Sequence, residues 1–182
     1  MWKGLAAGAA GGLAASVAMN QFQALWSKLA GRRQRSHGAQ SMQQGSPQHG
    51  VGRELLRRGR DEGRDDAPMR LANAISVGLL DHELTRSGKE ATGTVIHYAF
   101  GVMTGGLYGA AAELLPGITA GAGVPFGAFV WLSADEGVVP GLGLSKSPTE
   151  YPLSIHAYAL ASHLVYGLTT ELVRRAVRQA LR

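Results

Sequence analysis

The residues of this sequence best suited to chemistry are three histidines, two carboxylates and a tyrosine that lie in or beside apolar stretches. They are His97, Asp135, Glu136, His156, His163 and Tyr166. His156 and His163 are seven residues apart, so on one helix they share a face to within about 20°. If these side chains converge, they form a His/carboxylate cluster that could relay protons or hold a divalent metal. In the simpler alternative, the carboxylates lie at an interface and the histidines hydrogen-bond across helices.

No recognised catalytic pattern accompanies these residues. The chain has no cysteine, which excludes a thiol nucleophile, a disulfide framework and a cysteine zinc site. It also lacks the HExxH, GxSxG and P-loop patterns, and its glycines follow no strand in the manner of a dinucleotide-binding turn. We therefore predict no catalytic residues, no cofactor and no metal site, and we expect the protein not to be an enzyme.

Small residues recur every four positions on two predicted helices. They are Gly4, Gly8 and Gly12 on the first helix and Gly101, Gly105 and Gly109 on the second. Helices in lipid gain little from burying apolar surface against one another, and small residues at this spacing let their backbones approach closely. The pattern, a glycine zipper, indicates either packing within one chain or homo-oligomerisation.

Four windows without charged residues indicate the elements that carry these groups. They contain 24, 22, 21 and 20 residues and lie between Lys3 and Lys28, Glu90 and Glu113, Glu113 and Asp135, and Glu150 and Glu171. A membrane-spanning helix needs about 20 mostly apolar residues. Residues 36–52 are also uncharged but consist largely of Gln, Ser, His and Gly, so lack of charge alone is not the signal. The alternative is a soluble helical bundle rich in Ala and Gly.

The sequence predicts an all-α membrane protein with three to four Gly/Ala-rich membrane-embedded helices and one short amphipathic interfacial helix. Residues 1–30 form the first membrane helix, which we expect to be retained rather than cleaved as a signal peptide. Residues 31–66 are a polar, basic linker whose composition predicts disorder. The interfacial helix, over 68–80, and a linker occupy 67–90. Residues 91–182 hold a helical hairpin (92–114 and 118–134), a Pro/Gly-rich connector (137–152), the last helix (153–178) and a basic tail.

Basic residues beside the predicted helices suggest contact with anionic lipid headgroups. The arginines we assign to this role are Arg32, Arg33, Arg35, Arg174 and Arg175. Without interleaved aromatic residues or a known nucleic-acid module, we expect no nucleic-acid partner. The basic residues after the first and the last helix would place the C-terminal ends of both in the cytoplasm. If all four helices crossed the membrane, these two ends would lie on opposite sides. Either the third segment re-enters without crossing, which we favour, or the long loop 31–90 lies outside.

Four stretches carry a resemblance to a known family. They are MNQFQALWSK (19–28), IHYAFG (96–101), ADEGVVPGLGLSKSPTEYPLS (134–154) and ASHLVYGLTTELVRR (161–175). In these the chain resembles the YagU-like family of bacterial inner-membrane proteins, which is defined by a domain of unknown function. The resemblance implies a multi-pass protein of the bacterial inner membrane and supplies no catalytic residues.

These observations predict a small membrane protein that acts by helix packing. It would form a homo-oligomer or serve as an accessory or scaffold subunit of a larger membrane complex, with membrane lipids as further partners. The alternative is proton or cation handling through the His/carboxylate cluster.

Overall fold

The computed structural model describes residues 1–29 and 65–181, and this part of the chain is helical with no strand. Six α-helices follow in order: α1 (Trp2–Leu29), α2 (Ala67–Leu80), α3 (Arg86–Leu114), α4 (Val124–Val130), the single turn α5 (Val139–Gly141) and α6 (Leu153–Ala180). A 3₁₀ segment, Pro116–Gly123, precedes α4, and a π-helix, Trp131–Val138, joins α4 to α5. The predicted all-α class is confirmed, whereas nearly all of the polar linker, with Arg32, Arg33 and Arg35, lies outside the described residues.

The third predicted helix differs most from the structure. It was expected over 118–134 with Pro125 as an interruption, but Pro125 lies in the first turn of α4 and the helical run continues to Gly141. A proline is tolerated in the first turn because the amide it lacks has no partner within the helix there. The break occurs earlier, at Gly121, Ala122 and Gly123, which have left-handed φ angles of 72°, 53° and 85°. The Pro/Gly-rich connector therefore shortens to residues 142–152.

Contacts divide the described chain into two compact units. The first unit contains α1, Tyr98–Trp131 and the chain from Leu160 onward, and the second contains residues 65–97 and Leu132–Ala159. In the first unit Ala15, Met19, Val130 and Tyr166 form a small core on which Phe126 packs.

The helices of the first unit alternate in direction. On α1 and α3, Gly4 lies against Gly109 and Gly12 against Gly101, so these two helices are antiparallel. α6 is also antiparallel to α1, because the Lys3 ammonium donates to the Leu181 carbonyl at 2.7 Å and Gly11 packs on the Thr170 backbone. The C-terminal ends of α1 and α6 therefore lie at opposite ends of this unit.

α4 completes the alternation. Gly123 and Gly127 of the 3₁₀–α4 segment pack on the Gly167 backbone of α6, with Gly127 also against the His163 carbonyl and Gly123 near Glu171. Residue numbers rise along one helix as they fall along the other, so α4 is antiparallel to α6 and, by the pairs above, to α3.

One run of helical segments among the described residues, Pro116–Gly141, which includes the break at Gly121–Gly123, is long and apolar enough to cross a membrane. This run includes the segment that the sequence analysis expected to re-enter the membrane without crossing it. The other long helices, α1, α3 and α6, are rich in Ala, Gly and polar residues, which lowers their mean hydropathy. A single helix of spanning length and apolarity is weak evidence for a membrane protein. The three to four embedded helices expected from the sequence stay a prediction.

In the second unit, α2 begins at a defined cap. The Asp66 carboxylate accepts a hydrogen bond from the Met69 amide at 3.0 Å, a typical N-cap. The helix buries Arg70 and Asn73 and exposes Ile75, Leu79 and Leu80. The apolar residues that suggested an interfacial helix are thus partly on its outer surface.

Candidate functional site

Two of the predicted chemical residues, Glu136 and His156, form a close pair in the second unit. Glu136 lies in the π-helix and His156 in the first turns of α6. The Glu136 Oε1 to His156 Nδ1 distance is 2.6 Å, and both side chains are largely but not fully buried, with exposed fractions of 14% and 21%. A partly buried pair of this kind can hold a proton and still exchange it with water.

The second ring nitrogen of His156 is also engaged. Its Nε2 lies 3.0 Å from the Pro148 carbonyl oxygen. A carbonyl oxygen only accepts, so Nε2 carries a hydrogen in this arrangement. The π-helix, the connector and α6 therefore meet at one imidazole.

Local contacts in the connector hold the Pro148 carbonyl in place. The Ser147 amide donates to the Glu150 carboxylate at 3.1 Å, closing the short 3₁₀ turn Pro148–Glu150. The Tyr151 hydroxyl accepts from the Lys146 amide at 3.3 Å, and the Tyr151 ring stands edge-on to His156 with centroids 6.5 Å apart. Burial raises the pKa of the Tyr151 hydroxyl, which keeps this group neutral.

The remaining members of the predicted cluster are not assembled around this pair into a metal site. Asp135, beside Glu136 on the π-helix, is buried, and His97 of α3 is half-buried in the same unit. Within residues 1–29 and 65–181, no three His, Asp or Glu side chains are grouped as metal ligands would be.

His163 and Tyr166 belong to the packing of the first unit. The His163 carbonyl lies against Gly127 of α4. The buried Tyr166 hydroxyl donates to the Gly101 carbonyl at 2.7 Å and hydrogen-bonds the Thr104 hydroxyl at 2.9 Å. Tyr166 therefore ties α6 to the glycine-bearing face of α3.

The six glycines predicted to pack helices face one another within the chain. Gly4, Gly8 and Gly12 of α1 oppose Gly109, Gly105 and Gly101 of α3. A Cβ atom on Gly105 would lie 2.5 Å from the Gly8 carbonyl oxygen, well inside van der Waals contact. Only glycine permits this backbone separation.

A buried charged group in α6 was not predicted from the sequence. Glu171 is fully buried and binds Arg174 through two contacts, at 2.6 and 2.9 Å, and Arg175 through one at 2.5 Å. Both arginines, assigned to lipid headgroups above, thus bind a carboxylate of their own helix. The sequence did indicate these ion pairs, because Arg174 and Arg175 follow Glu171 by three and four residues on one helix. What the sequence could not reveal was that Glu171 is buried.

A second buried ion pair lies between residues far apart in sequence. Asp65 is bound by Lys89 at 3.2 Å and by Arg86 at 3.0 Å, and both Asp65 and Lys89 are almost fully buried. This pair anchors the start of α3 to the residue before the α2 cap. No spacing rule would have identified it.

Comparison with known proteins identifies one family. Residues 51–172 match the family described as a protein of unknown function, DUF1440. The match contains two of the four stretches quoted above, IHYAFG and that over 134–154, and most of the one over 161–175, and it excludes MNQFQALWSK. No curated protein and no solved structure matches the chain. The chain therefore belongs to the DUF1440 family, whose function is unknown.

Proposed function

We propose that this protein is a multi-pass membrane protein whose first unit is embedded in lipid and which acts through helix packing as an accessory or scaffold subunit. The proposal rests on one observation above others: in the first unit many large apolar side chains are outside, and several polar side chains are inside beside the small core. In a protein surrounded by water the opposite distribution is normal.

The outer surface of the first unit carries large apolar side chains on every α-helix. They include Leu5 and Leu13 on α1, Met103 and Leu107 on α3, Phe129 on α4 and Leu172 on α6. Extensive exposed apolar surface on a protein marks a membrane or protein contact. Surrounding lipid tails would cover the exposed apolar side chains of all four helices.

The interior of the first unit holds polar side chains as well as its small apolar core. Besides the core around Met19, Val130 and Tyr166, it buries Ser16, Ser162, His163, Thr170 and Glu171. Ser16 and Thr170 donate to carbonyl oxygens one turn earlier in their own helices, at 3.0 and 2.8 Å. Polar groups that are satisfied internally while apolar groups face outward are expected when the surroundings are hydrocarbon.

The alternating directions of α1, α3, α4 and α6 indicate on which side of a membrane each chain end would lie. If the first unit spans the membrane, both chain ends lie on one side and the loop after α1 lies on the other. Basic residues alone would place the ends of the first and last helices on the same side. The alternating directions instead favour the alternative in which the long loop 31–90 lies outside, on the opposite side from the C-terminal tail. It needs no re-entrant third segment.

The glycine faces of α1 and α3 are occupied within the chain. We therefore place association with a second copy or with another subunit on the outer apolar surface rather than on the glycines. The exposed residues Ile75, Leu79 and Leu80 make α2 a candidate interfacial helix under the same proposal. The bacterial inner membrane is the location that the family resemblance implies.

Membrane fractionation tests the proposal. We expect the protein to sediment with membranes, to resist an alkaline carbonate wash and to enter solution only with detergent. A monodisperse protein in the detergent-free supernatant would contradict it.

A matched pair of variants probes the outer surface directly. Leu107 is 62% exposed, and a lysine on a lipid-facing position costs up to about 3 kcal/mol. We expect Leu107→Lys to lower the fraction of protein recovered in the membrane and Leu107→Met to leave it unchanged. Equal recovery of the two variants would show that this surface does not contact lipid.

Proton handling is a second candidate function, favoured by the 2.6 Å contact between Glu136 and His156. π-helices often occur at functional sites, and this one supplies Glu136. The direct test is decay of a pH gradient in proteoliposomes, followed with an enclosed pH dye. We expect His156→Ala to reduce the rate to that of empty liposomes. Tyr166→Phe, which removes a packing hydroxyl of the first unit, should retain the wild-type rate. A wild-type rate equal to that of empty liposomes would refute this candidate.

A further inference from the structure

We propose that Glu136, His156 and the Pro148 carbonyl form a binding site for one exchangeable proton, and that this proton fastens the connector to α6. The inference deepens the second candidate function, since the proton it locates is the one that such a protein would move. It follows from the two contacts of the imidazole and from the chemistry of their partners.

The number of protons in the site follows from the hydrogen bonds. Nε2 donates to the Pro148 carbonyl, which leaves Nδ1 of a neutral imidazole as an acceptor. A carboxylate facing that lone pair at 2.6 Å would be repelled, so a proton must lie between Nδ1 and Oε1. It belongs either to a neutral carboxyl beside neutral imidazole or to an imidazolium beside a carboxylate. These two forms differ only in the position of one shared proton.

Removing the shared proton forces a choice between the two contacts. A neutral imidazole has one N–H, which can point to the Glu136 carboxylate or to the Pro148 carbonyl but not to both. The bond to the charged carboxylate is the stronger one. The hydrogen therefore moves to Nδ1, and the Pro148 carbonyl loses its donor on α6 while keeping the Tyr151 amide of the connector itself, at 3.2 Å. Loss of the proton thus releases the connector from α6.

Other ionisable groups near the site must be separated from this effect. On the described elements around it these are Asp135 of the π-helix, Lys146, Glu150 and Tyr151 of the connector, and Arg70 of α2, which acts on Tyr151. Arg70 also holds the connector directly, because its Nη1 donates to the Leu144 carbonyl at 2.7 Å. That bond does not depend on the shared proton, so the release is confined to the part of the connector around Pro148.

A spin label on the connector measures the release. The chain has no cysteine, so Thr149→Cys provides a single labelling position on an exposed residue next to Pro148. Spectra of the purified full chain in detergent are recorded from about pH 5 to about pH 10, on both sides of the reference pKa of free histidine. We expect an immobile component at low pH that is lost in one transition as the pH rises.

Three variants in the labelled background assign that transition. Glu136→Gln should keep the label immobile at every pH, because the amide can donate to Nδ1 while Nε2 still donates to Pro148. His156→Phe should make it mobile at every pH. Glu90→Gln, which alters an exposed carboxylate of α3 outside the site, should retain the wild-type transition. The inference is overturned if the wild-type label shows no transition, if Glu136→Gln shows the same one, or if Glu90→Gln abolishes it.

This measurement is independent of transport. If the connector responds to the shared proton but the protein dissipates no pH gradient, the inference stands and the second candidate function is refuted. If the protein moves protons without any response of the connector, the inference is refuted and the second candidate function stands.

Discussion

Replacing Gly105 with alanine is expected to lower the thermal stability of the detergent-solubilised protein by several degrees. The added Cβ would lie 2.5 Å from the Gly8 carbonyl oxygen and 2.7 Å from the Gly12 Cα. Both are backbone atoms of α1, so no side chain can turn away to make room. The helices must separate, and such overpacking costs about 1–3 kcal/mol.

The separation would not stay local. Gly8 and Gly12 are also the residues against which Gly109 and Gly101 pack, and the Gly101 carbonyl accepts the hydrogen bond from Tyr166. Moving α1 from α3 therefore weakens the contacts on either side of the substituted position. Gly105→Leu, with a much larger side chain, is expected to prevent the unit from forming.

The neighbouring glycine provides a matched control. A Cβ on Gly106 would meet its nearest atom, the Leu5 carbonyl oxygen, at 3.6 Å, an ordinary contact. Alanine is also the better helix former by up to about 1 kcal/mol. We expect Gly106→Ala to keep or raise the unfolding temperature. Equal unfolding temperatures for Gly105→Ala and Gly106→Ala would contradict the close approach of α1 and α3.

The same variants separate packing within the chain from packing between chains. If the glycine face joined two copies, Gly105→Ala would lower the particle mass measured by light scattering while leaving each copy folded. We expect the opposite result: a lower unfolding temperature at unchanged particle mass. This outcome would locate oligomer contacts, where they exist, on the exposed apolar side chains of the unit.

Much of the helical pattern was predictable from charge spacing and glycine spacing. The predicted helix over 153–178 corresponds to α6, and that over 68–80 corresponds to α2, each within two residues at its ends. These elements are bounded by strong local signals, namely Pro152 before α6 and the Asp66 cap before α2. Local signals also misled: Pro125 was interpreted as an interruption, although it stands in the first turn of α4.

The site was predictable in its residue types but not in its pairing. Glu136 and His156 were both candidates, but so were four other residues, and no spacing rule links positions 20 apart through a π-helix and a connector. The Pro148 carbonyl could not have been proposed at all, because every residue carries a carbonyl and only the fold selects one. The ion pairs of Glu171 were missed for a related reason. The sequence shows that two arginines follow Glu171, but it does not show that the Glu171 carboxylate is buried.

Replacing Glu171 with glutamine is the second substitution for which we expect a large effect. The wild-type carboxylate is fully buried and accepts from Arg174 through both oxygens and from Arg175 through one. Glutamine removes the charge and one acceptor, which leaves the buried Arg174 guanidinium without a counter-charge. Breaking a buried ion pair in this way costs about 3–5 kcal/mol. We expect a marked fall in unfolding temperature and loss of folded protein during purification.

An exposed ion pair provides the comparison. Glu90 accepts from Arg86 at 2.8 Å, but its side chain is 53% exposed. Exposed pairs contribute about 0–1 kcal/mol, so Glu90→Gln should leave the unfolding temperature nearly unchanged. A similar small effect of Glu171→Gln would show that water reaches the Glu171 carboxylate and that the interior of the first unit is not dry.

A double substitution distinguishes a structural ion pair from a functional one. When both partners of a buried pair are replaced by apolar residues of similar volume, stability is often restored. We expect Glu171→Leu combined with Arg174→Met to recover most of the stability lost in Glu171→Gln, since Arg175 is half-exposed and can turn outward. A double variant that is as unstable as the single one would mean that the charges of Glu171 and Arg174 are needed elsewhere in the unit. A double variant that folds normally but no longer associates with membranes would assign the pair to the membrane interface instead.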